Sequence, residues 1–194
     1  MEEKRIITLD ELDARDIRRL RQGEGRLSLA GIWTLEHERD GRIIHTQSGK
    51  NIIPTAGLNH ILDVVLGATA KNANWYVGIF KNNYTPIAGN TAADSLGAAG
   101  LYGECQDADY DSPATNRPAF TPAGAAAGVI TNSASKASFT IAASITVYGA
   151  FLASSQAKTA TTGTLIAAKK FDTSRAVVDN DILYVQYEIT AISS

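Results

Sequence analysis

The chain has 194 residues, a formal net charge of -2, and 44% hydrophobic against 20% charged residues. That length suits one domain with an attachment, and the balance excludes wholesale disorder and a cationic surface for nucleic acid or anionic lipid. One cysteine and three histidines, at 37, 45 and 60, exclude an intrachain disulfide framework and a Cys-rich zinc site, so no metal and no cofactor is expected.

The opening residues Met1-Glu2-Glu3-Lys4-Arg5 are mixed in charge and lead into no long apolar run, which predicts no secretory leader. No stretch approaches about 18 uninterrupted apolar residues, so no membrane-spanning helix is expected. Half of all charged residues fall within residues 1–42, ahead of an Ala/Thr/Gly/Ser-rich body. Residues 1–25 are therefore predicted to be a charged arm and 26–194 a single domain. Thr8-Leu9-Asp10-Glu11 reads as a capping box. A helix from about Leu9 to Gln22 would carry Leu9, Leu12, Ile17 and Leu20 on a loose stripe, with acids early and Arg18, Arg19 and Arg21 late, until Gly23-Glu24-Gly25 stops it. Such a helix either packs on its own domain or docks on another protein.

From Leu27 the period changes to two. Leu27, Leu29, Gly31, Trp33, Leu35 and His37 share one parity, the mark of a half-buried strand. Asp40-Gly41 is a type I′ hairpin signal, with a return strand over 42–47 and a second turn at Ser48–Asn51. Residues 55–66 form the best helix, with Leu58, Ile61, Leu62, Val65 and Leu66 on one face, Thr55 as N-cap and Gly67 past its end. Trp75–Phe80 is a dense apolar run, expected to be a central buried strand. Residues 87–128 read as a long, mostly irregular region with a short helix near 92–98 and one or two edge strands. Further strands are expected around Phe139–Ile141, Ile145–Leu152, Gly163–Ala167, Ala176–Val178 and Ile182–Ile189, with a turn at Asp179-Asn180-Asp181. Short strands separated by turn signals predict a mainly β protein, an antiparallel sandwich or barrel.

Catalytic signals are weak. Asp107, Asp109 and Asp111 begin like a calcium loop, but the sixth position is Ser112 and the twelfth Pro118, so a solvated acidic loop is expected. His37 and His45 face each other across the hairpin without a third ligand and are read as exposed cross-strand residues; His60 is read as a surface helix residue. Cys105, among acidic neighbours, is a poor nucleophile. No Gly-x-Ser-x-Gly or phosphate-loop motif occurs. Arg15, Arg18, Arg19, Arg21 and Arg26 alternate with Asp13, Asp16 and Glu24, which cancels most of their field, so no nucleic-acid partner is expected. The chain is read as a non-enzyme.

The motifs fall in a recognisable order: Gly31-Ile32-Trp33 with Glu36, Arg39 and Gly41; Lys50-Asn51-Ile52-Ile53; Ala56–Leu62; Trp75–Phe80; Tyr148–Ser154; then Phe171 with Asp181–Val185. This order resembles virion structural proteins of tailed bacteriophages, of the capsid decoration (cement) type with β-sandwich or jelly-roll folds. The similarity spans most of residues 26–190. It departs where Asn180-Asp181 replaces an expected Gly-Asp, a change the turn tolerates because Asn also adopts left-handed backbone. The resemblance implies a protein made in the host cytoplasm that binds the major capsid protein on the capsid surface as a dimer or trimer, with no membrane or nucleic-acid partner. The residues expected to touch that partner are Leu9, Leu12, Ile17, Arg18, Arg19 and Leu20 of the arm, and Tyr102 and Tyr110 of the 87–128 region. Rival expectations are a head–tail, collar or fibre-attachment component, or a glycan- or receptor-binding module.

Overall fold

Residues 27–193 are described by a computed structural model. The expected charged arm lies outside these residues. Ten strands and two short helices follow in order: β1 Leu27–Arg39, β2 Arg42–Lys50, α1 Thr55–Val65, β3 Trp75–Phe80, α2 Ala92–Ser95, β4 Tyr110–Ser112, β5 Ala119–Phe120, β6 Val129–Thr131, β7 Ala137–Ile141, β8 Ile145–Ala153, β9 Leu165–Val177 and β10 Ile182–Ser193. They form the expected antiparallel β-sandwich. The first sheet has the order β2-β1-β10-β7-β4, with β6 also on β10; the second has the order β5-β3-β8-β9.

Alternation in β1 sets the inner face of the first sheet. Gly31, Trp33, Leu35 and His37 are buried, and Trp33 stacks on Tyr187 of β10 at 4.4 Å between ring centres. Asp40 and Gly41 have φ of 52° and 74°, the two positive values of a type I′ turn, so the hairpin forms as its sequence requires. The return strand is longer than expected. Ser48, Gly49 and Lys50 pair with Thr34, Trp33 and Ile32, and the anticipated second turn at 48–51 is instead the end of β2. Strand β9 is likewise one 13-residue element where two short strands were expected.

The sheets meet along the β2 and β9 edges. The Gln47 side chain donates to the Thr173 carbonyl at 2.7 Å and accepts the Thr173 N–H at 3.1 Å, standing in for a strand residue. Beyond β2, Ile52 and Ala168 exchange two backbone hydrogen bonds of 3.1 Å. Two edges that would otherwise present free N–H and C=O groups are thereby paired.

The apolar run of β3 is explained by burial on both faces. Val77 and Ile79 face the first sheet within the inter-sheet core. Phe80 faces outward, into a second core with Ala92, Leu96, Tyr102, Phe151, Ala153, Leu165 and Ala168. The part of the 87–128 region around α2 and Tyr102 thus lies over the outer face of the second sheet, while β4 pairs with β7 at the edge of the first sheet and β5 with β3 at the edge of the second. Its short helix is held by a capping box between Thr91 and Asp94.

Helix α1 corrects the sequence reading at its face and its start. Pro54, not Thr55, is the N-cap, and no side chain caps the helix. Gly57 faces β9, where an added Cβ would lie 2.8 Å from the Ile166 carbonyl oxygen, so only glycine permits this approach. With Gly57 and Ile61 turned to the sheet, the rest of the apolar stripe rotates outward: Leu62 is 54% exposed, Val65 71% and Leu66 81%. None of the helices among the described residues is long and apolar enough to cross a membrane.

Candidate functional site

Two polar clusters and two exposed apolar ends are the features that could carry function. The first cluster gathers His37 of β1, His45 of β2, Arg175 of β9 and Asp181 from the β9–β10 turn. His37 and His45 are register partners, as expected, but His37 is fully buried, which corrects the exposed reading. Its Nε2 lies 2.8 Å from Asp181 Oδ2, and its Nδ1 lies 3.1 Å from an Arg175 terminal nitrogen. Arginine can only donate, so Nδ1 accepts and the Nε2–H donates to Asp181. Both ring nitrogens are therefore occupied and neither is free to take a proton from a substrate. Arg39 adds two 2.7 Å hydrogen bonds to Asp181 through Nε and a terminal nitrogen.

These contacts predict how stability depends on pH. The Arg39 hydrogen bond, helped by the Val178 N–H and His37, holds the Asp181 carboxyl well below its ordinary value of 3.8 against the opposing effect of burial. Burial first, then Arg175 and His37, lowers His45 below its ordinary 6.5. In both cases the unfolded chain binds a proton more readily than the folded one, so acid favours unfolding. Stability is expected to decline as pH falls through 6.5, where unfolded His45 charges, and to decline again below 3.8, where unfolded Asp181 protonates. Thermal midpoints measured across this range should show His45→Gln flattening the upper step and Asp181→Asn the lower; profiles identical to the parent would contradict the assignment.

The second cluster is buried beneath the 87–128 region. Arg117 forks onto Glu104 with bonds of 2.6 and 2.7 Å, and donates to the carbonyls of Ser155 at 2.6 Å and Ala160 at 2.8 Å. Glu104 also accepts the Gly97 N–H at 2.8 Å. Lys158 donates to the carbonyls of Tyr110 and Ala114 and sits 3.5 Å above the Tyr110 ring. The cluster joins residues 97–117 to the 154–160 loop. Asp109 is buried and bonded by Lys81 at 2.7 and 2.8 Å and by the Gln106 N–H, while Asp107 and Asp111 face solvent. The three aspartates therefore do not converge, and the solvated reading fails for Asp109. No group of three or more His, Cys, Asp or Glu able to hold a metal ion occurs among the described residues. Cys105 is buried, and burial more than its acidic neighbours pushes its thiol pKa up.

Of the residues expected to contact a partner, Leu9, Leu12, Ile17, Arg18, Arg19 and Leu20 lie outside the described residues. Tyr102 and Tyr110 require correction, because both are fully buried. Tyr102 stacks on Phe80 at 4.9 Å and donates to Asn90 Oδ1 at 3.3 Å; Tyr110 meets Phe139 edge-on at 5.1 Å. They anchor the long region to the second sheet and to β7 and present no surface. His60 is half-buried, edge-on to Trp75 at 5.5 Å, not a free surface residue.

Several exposed apolar side chains lie at the two ends of the sandwich. Ile43, 48% exposed, and Ile44, 49% exposed, follow the hairpin turn, and Val178 lies in the β9–β10 turn at the same end. At the other end are Leu27 and the flank of α1. A groove of 350 Å³ between the sheets is lined by Trp75, Phe120, Ile130, Leu152, Ile166 and Ile189, with no titratable side chain, so it holds no acid or base. Sequence reasoning missed Arg117, Glu104, Lys158 and Asp181 as organising groups; the signal available was charge inside otherwise apolar segments. No protein-family model and no curated protein matches the chain.

Proposed function

We propose that this chain is a non-enzymatic virion component that binds the major capsid protein on the outside of a bacteriophage capsid. The observation that carries the reading is the division of its side chains. The charged groups of both polar clusters are consumed by internal bonds, whereas large aliphatic side chains, Ile43, Ile44 and Val178 at one end and Leu62, Val65 and Leu66 at the other, are left in solvent. A protein that spends its polar groups on rigidity and leaves its apolar groups outside is suited to assembly. The resemblance of its motif order to that of capsid decoration proteins is what points to this kind of partner. Repeated contacts on a symmetric shell also allow modest individual interfaces to act together.

The test is copy number on purified virions, by quantitative mass spectrometry against the major capsid protein. A ratio of one to a few copies per capsid hexamer supports decoration. A handful of copies per particle moves the chain to the portal, collar or tail, and absence from the virion overturns an assembly role. The paired change Ile43→Asp/Ile44→Asp, and separately deletion of residues 1–22 with Arg18 and Arg19, should each lower capsid occupancy by about tenfold or more while leaving the sandwich folded. Full occupancy by either variant removes that surface from the interface.

A further inference from the structure

The apolar groove between the sheets exists because the elements at its end are short. Strand β5 pairs with β3 at only two positions, Phe120 with Trp75 and Ala119 with Tyr76, and Pro122 has no N–H with which to continue the ladder. On the facing sheet β6 covers only Glu188, Ile189 and Thr190 of β10, with Ile130 opposite Ile189. Ala73 and Ala119 also line the groove and are too small to fill it, so 350 Å³ lies open between Trp75 and Phe120 of one sheet and Ile130 and Ile189 of the other. A second hollow, of 240 Å³, shares two of its walls, Trp75 and Ile166, and therefore adjoins it. Helix α1 gives this hollow Ile61, Val64 and Val65, and the α1–β3 connection gives it Lys71 and Asn72. His60 completes it, edge-on to Trp75 and 3.1 Å from the Asn72 amide nitrogen.

We infer that the two hollows form one binding site for an amphipathic monocarboxylate of the fatty-acid kind, with its tail in the inter-sheet groove and its carboxylate beside Lys71. The groove falls in the size class of sites that enclose small organic ligands, about 300–1,000 Å³, and is walled by apolar side chains as such sites are. Its only polar side chains, Asn74 and Thr121, are exposed at the rim. A charged or hydrogen-bonding group pushed deeper would lose its water and gain no partner, so the part of the ligand that enters is hydrocarbon. The second hollow fixes the other end. Lys71 is exposed and makes no ion pair among the described residues. No Asp or Glu lines either hollow, so the fixed charge met there is positive. The Asn72 amide N–H donates to His60 Nε2, which leaves the imidazole proton on Nδ1 as a second donor of the hollow. One ammonium beside a hydrocarbon slot matches one carboxylate on a hydrocarbon chain; a phosphate ester, with its greater charge and three acceptor oxygens, calls for more than one cation. The inference does not rest on the capsid reading.

Titration calorimetry on the full chain tests it, with decanoate, decanol and acetate as probes and decanoate kept below its micelle concentration. Decanoate should bind most tightly, decanol about fivefold more weakly, which is the worth of an exposed ion pair, and acetate not measurably. Lys71→Ala should weaken decanoate about fivefold and leave decanol unchanged. Lys50→Ala, which removes an exposed lysine that lines neither hollow, should change neither. Thr121→Trp at the exposed rim should block the mouth and weaken both ligands by about tenfold or more. On saturation with decanoate the amide signals of Trp75, Phe120 and Ile130 should shift while those of Asp40 and Gly41 in the hairpin turn stay in place. The comparison of probes on the parent chain does not depend on any variant folding. Failure of the parent to bind either decanoate or decanol overturns the inference, and so does acetate binding as tightly as decanoate. Equal affinity for decanoate and decanol, with no effect of Lys71→Ala, overturns the carboxylate assignment, and full binding by a folded Thr121→Trp variant overturns the placement of the tail.

Discussion

Replacing Arg117 with alanine is expected to destabilise the protein by about 3–5 kcal/mol, the usual cost of leaving one partner of a buried ion pair behind. Four hydrogen bonds are lost, two to Glu104 and two to the carbonyls of Ser155 and Ala160. The guanidinium also leaves the face of Phe151, 5.2 Å from its ring centre. Glu104 would then be a buried carboxyl stabilised only by the Gly97 N–H and the more distant charge of Lys158. Burial already raises the Glu104 pKa against the opposing pull of Arg117, so removing Arg117 should raise it further. A folded-state carboxyl pKa above the unfolded value makes folding take up a proton, and mild acid should return part of the lost stability. The double change Glu104→Leu/Arg117→Met, which removes both charges and keeps volume, should recover most of it. Denaturant unfolding near pH 7.5 and pH 5 reads both effects, and hydrogen exchange should show residues 97–117 loosening before β1 or β10. An Arg117→Ala variant as stable as the parent would mean that the cluster does not hold the long region.

Phe151→Ala is expected to cost about 3–5 kcal/mol, because its ring fills the second core and the surrounding strands cannot collapse into the space. The site is shaped for that ring. Gly78 of β3 is the register partner of Phe151, and a Cβ at 78 would lie 2.1 Å from Phe151 Cζ. The arrangement is reciprocal two pairs along: Gly149 opposes Phe80, and a Cβ there would lie 2.2 Å from Phe80 Cζ. Each glycine leaves the outer face of the sheet open for the ring of the facing strand. Gly78→Ala should therefore cost about 1–3 kcal/mol through overpacking, and less in a Phe151→Leu background, where the clashing ring is absent. Additive losses in that double-mutant cycle would show that the ring and the glycine do not share space.

These two sites also mark how far local sequence reaches. The Asp40-Gly41 turn, the parity of Trp33, Leu35 and His37, and the apolar run of β3 are set by residues within a few positions of one another, and each forms where its pattern places it. The face of α1 was misread because its periodicity reports apolar residues, not which of them meets the sheet. The close approach of Gly57 to the Ile166 carbonyl turns the helix and leaves Leu62, Val65 and Leu66 outside. Tyr102 and Tyr110 read as loop residues open to a partner because nothing nearby in the chain reveals the second core that Tyr102 enters or the inter-sheet core that Tyr110 enters. The buried charges were illegible for the same reason. Glu104 and Arg117 are 13 residues apart, and His37 and Asp181 are 144 apart. A charged residue in a glycine-rich stretch reads as solvated until its partner is located.

The sequence by itself determined a mainly β antiparallel fold, its first hairpin and the presence of one or two edge strands in the long region, because side-chain alternation and turn chemistry act over a few residues. Only the tertiary structure decided that the part of the long region around α2 and Tyr102 covers the outer face of the second sheet, that His37, Asp109 and Glu104 are buried and paired, and that the apolar flank of α1 faces out. Those outcomes depend on which distant surfaces exclude water from one another, and a side chain's burial is a property of the assembled layers, not of its neighbours in the chain.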